Sequence, residues 1–82
     1  MTIRQLLATN LRNLRHAAGM SQEELADRAG VNRNYVGMIE RCENAATVDV
    51  IGQLAEALDV SPGELLMEAG TVQRDRNPTP KK

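Results

Sequence analysis

Tyr35 is the only aromatic side chain in the 82 residues, with no Trp and no Phe. Any core must therefore be assembled from Leu, Ile, Val, Ala and Met. Strands draw heavily on aromatic and β-branched residues, so this supply suits packed helices better than a sandwich. A chain of this length makes one compact domain and rarely two. The spacing of the apolar residues points the same way.

Leu7, Leu11, Leu14 and Ala18 recur in steps of four, three and four, which predicts a helix with one apolar stripe starting near Ile3 and ending at Gly19. Ser21 with Glu24 three residues on forms a capping-box pattern, opening a second helix that buries Leu25, Ala26 and Ala29 and stops at Gly30. Asn32 caps a third helix that turns Val36 and Ile39 inward, with Val31 packing in the turn before it. Thr47 caps a fourth, with Val48, Ile51, Leu54, Ala55 and Leu58 at helical spacing. The segment "SPGE" repeats the capping box at Ser61 and Glu64, with Pro62 at the first helical position, and predicts a fifth helix. The expected fold is an all-α, compact five-helix bundle over residues 1–70. After Gly70 the text becomes "TVQRDRNPTPKK", with two prolines and nothing periodic, which reads as a flexible tail over 71–82.

Several chemistries have little to work with. Cys42 is the only cysteine, which excludes an internal disulfide and a cysteine-based zinc site. His16 is the only histidine and has no second base or nucleophile beside it, so no metal, cofactor or catalytic constellation is expected. There is no apolar run of membrane-spanning length and no signal-peptide segment, so a cytoplasmic location is expected. The net charge of −1 hides an asymmetry. Residues 1–70 hold six Arg against ten acids, while residues 71–82 hold Arg74, Arg76, Lys81 and Lys82 against Asp75. An acidic body counts against nucleic-acid binding unless its few cations share one face.

The third helix supplies such a face. Its inward positions leave Arg33, Asn34, Gly37, Met38 and Arg41 together on another side. Arg can make two hydrogen bonds to guanine O6 and N7, Asn two to adenine N6 and N7, and Met an apolar contact to a thymine methyl, all in the major groove. The competing reading is a solvated helix terminus.

Neighbouring residues favour the first reading. The stretch "GMSQEELADRAGVNRNYVGMIERCEN" resembles the helix-turn-helix domains of the Cro and phage-repressor (XRE) family, and "LAEALDVSPGELL" resembles that family's last two helices. The chain also looks like the restriction–modification controller proteins, with their "YI..IER" segments, and equally like other short regulators of the family. The resemblance spans roughly residues 3–68 and implies a lambda-repressor-like DNA-binding domain. It implies base reading by Arg33, Asn34 and Met38, and backbone contacts from Gln22, Asn32, Tyr35, Arg41, Asn44 and Thr47. For Tyr35 a purely structural ring is the other reading, and for Thr47 a helix cap. Arg15 and Glu40 match a pair that bridges the first and third helices in the family. Glu23, Glu24 and Asp27 match positions where activating relatives present acids to RNA polymerase. The other reading is that Glu24 caps the helix while its neighbours favour the dipole. Cys42 departs from the family's usual Gly, so the turn after the third helix must either avoid positive φ or accept strain.

A single recognition helix contacts too few base pairs to select a site, so a homodimer on double-stranded DNA is expected. Leu65, Leu66, Met67 and Val72 are the expected interface, although Leu65 also suits the protomer core. The expected function is a sequence-specific transcriptional regulator on a palindromic operator. The alternative is an antitoxin-like protein-interaction module for which DNA is secondary.

Overall fold

The computed structural model describes residues 1–68. Val72, the basic residues 74, 76, 81 and 82 and the expected tail lie outside the described residues. Four α-helices follow in order: α1 (Ile3–Ala17), α2 (Gln22–Ala29), α3 (Arg33–Glu40) and α4 (Val48–Leu58). A single 3-10 turn, Pro62–Leu65, closes the described chain. The described residues form no strand, and none of their helices is long and apolar enough to cross a membrane.

The helix boundaries follow local chemistry. Thr2 accepts from the Gln5 N–H while Gln5 reaches back to the Thr2 N–H, a capping box before α1 that sequence reading missed. Ser21 accepts from the Glu24 N–H at 3.0 Å, as expected, but the Glu24 carboxylate turns to Arg28 at 2.7 Å. Asn32 Oδ1 accepts from the Asn34 N–H at 2.7 Å, and Thr47 Oγ1 accepts from the Val50 N–H at 3.1 Å. Between α2 and α3, Gly30 sits at φ 75°, and the N–H groups of Gly30 and Val31 both return to the Ala26 carbonyl. This left-handed closure, followed at once by the Asn32 cap, makes the tight turn of a helix-turn-helix unit.

Leu11, Leu25, Val36, Ile39, Leu54 and Leu65 form the innermost layer, with Leu7, Met20, Ala26, Ala29, Ala55 and Leu58 around them. α3 packs between α1 and α2, and α4 packs on α2 and on the Pro62–Leu65 turn.

Three expectations need correction. The fifth helix is only the four-residue 3-10 turn. Pro62 and Gly63 begin it, and the Asn10 amide binds the Leu65 and Met67 carbonyls at 3.0 and 2.7 Å, so they need no further helical turn to be satisfied. Val48 is 84% exposed rather than inward, because it opens α4 beyond the part that α2 and the final turn cover. Ala18 is likewise exposed, since α1 ends at Ala17 and Ala18 is its C-cap.

Cys42 takes the strained alternative. It lies at φ 62°, in the left-handed turn after α3, while the Glu43 N–H bonds the Met38 carbonyl at 2.8 Å. A non-glycine residue there costs about 1–2 kcal/mol in backbone strain. Cys42→Gly is therefore expected to raise unfolding free energy by about 1 kcal/mol in urea titrations, after allowing for the lost contacts of a half-buried thiol. A lower midpoint would mean that thiol packing outweighs the strain.

Candidate nucleic-acid interface

The outer face of α3 begins directly after the Asn32 cap. Arg33 and Asn34 are exposed in its first turn, and Met38 is half-buried one turn on. Together with Gln22, Gly37, Arg41 and Glu43 they line a shallow hollow of about 370 Å³. The structure thus brings the three expected base-reading side chains onto one surface, with two arginines at its ends.

Both arginines are paired. Arg33 Nη1 lies 3.2 Å from Glu23 Oε1 on α2, and Arg41 binds Glu43 through Nε at 2.9 Å and Nη2 at 3.2 Å. All four side chains are more than half exposed, so each pair is worth only about 0–1 kcal/mol and can be exchanged for another partner. The bond from Arg41 holds the Glu43 carboxyl below the ordinary carboxylate range. Of the three acids on α2, Glu23 serves Arg33 and Glu24 serves Arg28.

Beneath this face lies a buried polar junction. Arg15 binds Glu40 side-on, Nε to Oε2 at 2.7 Å and Nη2 to Oε1 at 3.0 Å, and its Nη1 donates to the Met20 carbonyl at 2.9 Å. Arg15 is 9% exposed and Glu40 4%. Burial pushes the Glu40 carboxyl up, but hydrogen bonds from Arg15 and Gln22 outweigh it and hold the carboxyl below its usual range. The hydrogen bond to Glu40 likewise raises the Arg15 pKa, so both groups stay charged. Arg12 Nη2 donates to the Glu40 backbone carbonyl at 2.9 Å, satisfying a free acceptor at the end of α3. Three helices therefore meet at one carboxylate, and α3 cannot rotate without breaking several charge-assisted bonds.

The other expected contacts divide. Gln22, read as a phosphate ligand, gives its Nε2 to Glu40 Oε1 at 3.0 Å. The Tyr35 ring packs against the core while its hydroxyl donates to the Ala45 carbonyl at 3.1 Å, tying α3 to the segment before α4. Each would have to release that bond to donate the same hydrogen to a phosphate. Asn32 and Thr47 cap with an oxygen, which leaves the Asn32 amide hydrogens and the Thr47 hydroxyl hydrogen to donate outward. Asn44 is exposed in the segment between α3 and α4.

Sequence reading missed the roles of Arg12 and of Gln22 toward Glu40. For Arg12 a signal existed, because it lies three residues before Arg15 on the same side of α1. Gln22 and Glu40 are 18 residues apart, and no local pattern couples them. Among the described residues no group of three or more His, Cys, Asp or Glu side chains is placed to hold a metal ion.

Comparison with known proteins matches this architecture. Residues 11–65 fit the helix-turn-helix (HTH_3) family model. Control protein C.SmaI of Serratia marcescens is 40% identical over 70 residues, covering 85% of this chain and 83% of its own. The crystal structure of the restriction–modification controller protein C.AhdI from Aeromonas hydrophila is 44% identical, with TM-score 0.73 over 76% of this chain and 94% of its own. A hypothetical transcription factor from Neisseria superposes with TM-score 0.83 at 36% identity, covering 89% of this chain and 84% of its own. The chain therefore belongs to the XRE-type helix-turn-helix family of DNA-binding transcriptional regulators, in the company of the restriction–modification controller proteins.

Proposed function

We propose that this protein binds a palindromic operator as a homodimer, inserts α3 into the major groove and regulates transcription there, including that of its own gene. The observation that carries this reading is the outer face of α3, where Arg33, Asn34 and Met38 stand over a hollow while the helix is anchored from below by Arg15 and Glu40. Arg33 reads a guanine, Asn34 an adenine, and Met38 meets a thymine methyl. Asn32, Asn44 and Thr47 hold the backbone on either side, with Gln22 and Tyr35 as the remaining backbone candidates.

The dimer reading draws support from apolar surface. Ile3 is 61% exposed, and Ile3, Leu7, Ala45, Ala46, Ile51 and Leu66 border a common hollow with Arg4 at its edge, while Val48 is a further exposed apolar side chain. Leu66 and Met67 are half-buried and remain interface candidates, whereas Leu65 is fully enclosed in the protomer. A two-fold dimer places its α3 helices on half-sites about 34 Å apart, one turn of DNA.

Selection from a random double-stranded DNA library with the purified protein tests the reading. An enriched palindrome with half-sites one turn apart is the expected result. Weak, salt-sensitive binding without enrichment would sink it and favour a protein-interaction role. On the selected site, Arg33→Ala should cost about 1–3 kcal/mol and relax choice at one base pair per half-site.

A further inference from the structure

Gly37 lies in the middle of α3, buried, where glycine costs helix stability relative to alanine. It is not among the positive-φ glycines, so its backbone does not require it. What the missing Cβ leaves room for is Arg41. A Cβ at position 37 would stand 3.1 Å from Arg41 Nη1, tighter than ordinary contact, and 3.5 Å from Gln22 Oε1. Helical side chains lean toward the N-terminus and cover the residue four positions back, so Arg41 at the end of α3 falls across Gly37. Glu43 grips its guanidinium along one edge, through Nε and Nη2. The Nη1 edge remains toward the hollow that Arg33, Asn34 and Met38 share.

We propose that Arg41 is a fourth base-reading side chain, seated by Gly37 and aimed by Glu43, rather than a phosphate contact; this rests on the operator-binding reading above. A carboxylate held against the guanidinium repels a phosphate but not the uncharged edge of a base. Guanine offers O6 and N7 to an arginine fork, and the cytosine paired with it offers an N4 donor that a glutamate accepts. Arg41 and Glu43 side by side thus match one G·C pair, with guanine facing Arg41 and cytosine facing Glu43.

The test compares variants on the site selected by the wild-type protein and on random duplex. Arg41→Lys keeps the charge and loses the planar fork. It is expected to weaken binding to the selected site about tenfold, relax one G·C position and leave random-duplex binding unchanged. Gly37→Ala should fold at least as well, since only the end of a flexible side chain has to move. It should relax the same position with a loss of about three- to tenfold, and that loss should vanish in an Arg41→Ala background. Arg41→Lys selecting the wild-type site with wild-type affinity would overturn the proposal. So would a Gly37→Ala loss that persists undiminished without Arg41, because the new methyl would then be striking DNA itself. Arg33→Ala, relaxing a different position, separates these failures from a failure of operator binding as such.

Discussion

Glu40→Ala is expected to lower the free energy of unfolding by about 3–5 kcal/mol, because it breaks a buried ion pair from one side. Truncation leaves the Arg15 guanidinium buried without its side-on partner, and Gln22 and Arg15 both lose acceptors. A charge left uncompensated in a low-dielectric setting costs more than the pair contributed. Replacing both partners together, Arg15→Met with Glu40→Leu, is accordingly expected to recover most of the loss. Urea unfolding of the two single variants and the double variant measures this directly. Equal, additive losses would mean that the two residues act independently. The same carboxylate makes a pH prediction. Its pKa is lowered in the folded state, so its contribution is fully present above the unfolded carboxylate value of about 4.3 and is lost as pH falls through the folded value. Between about pH 5 and pH 3 the wild type should therefore lose more stability than Glu40→Gln. Arg15, whose pKa is raised by its bond to Glu40, stays charged throughout that window, and Arg12 is the other cation facing the carboxylate.

Leu65→Ala is expected to cost about 2–5 kcal/mol, through loss of apolar burial and the cavity left behind. Leu65 is 0% exposed although it belongs to a single 3-10 turn near the end of the described chain. Its backbone carbonyl is held by Asn10 on α1, and the turn packs on both α1 and α4. The substitution therefore loosens the closure of the whole bundle. Because the side chain is enclosed within the protomer, the loss should not depend on protein concentration in urea titrations. Leu66→Ala and Met67→Ala should instead act on self-association, read by sedimentation. A Leu65→Ala defect that disappears on raising the protein concentration would transfer that residue to the interface.

The parts of the fold legible in the sequence were those written within one turn of a helix. Ser21, Asn32 and Thr47 each satisfy an N–H two or three residues ahead, so their chemistry announces where α2, α3 and α4 begin. The apolar spacing told which faces turn inward, and it failed at Val48, where periodicity continues past the edge of what the neighbouring elements cover. "SPGE" carried the local signs of a helix start, yet the element stops after four residues because tertiary bonds from Asn10 satisfy carbonyls near its end. The candidate base-reading face was legible because Arg33, Asn34 and Met38 share a side by helical geometry alone. Their ion-pair partners were not, since Glu23 reaches Arg33 from a different helix.

By itself, then, the sequence determined the helical class, the caps and turns, and the helix-turn-helix family, because each rests on bonds between residues a few positions apart. Only the tertiary structure decided that Gln22 would serve Glu40, that Arg12 would close the end of α3, and that Leu65 would seal the core. Those contacts join residues 18 or more positions apart, or depend on what packs over a given turn. The angles at which helices pack govern which distant side chains meet, and a local pattern carries no record of those angles.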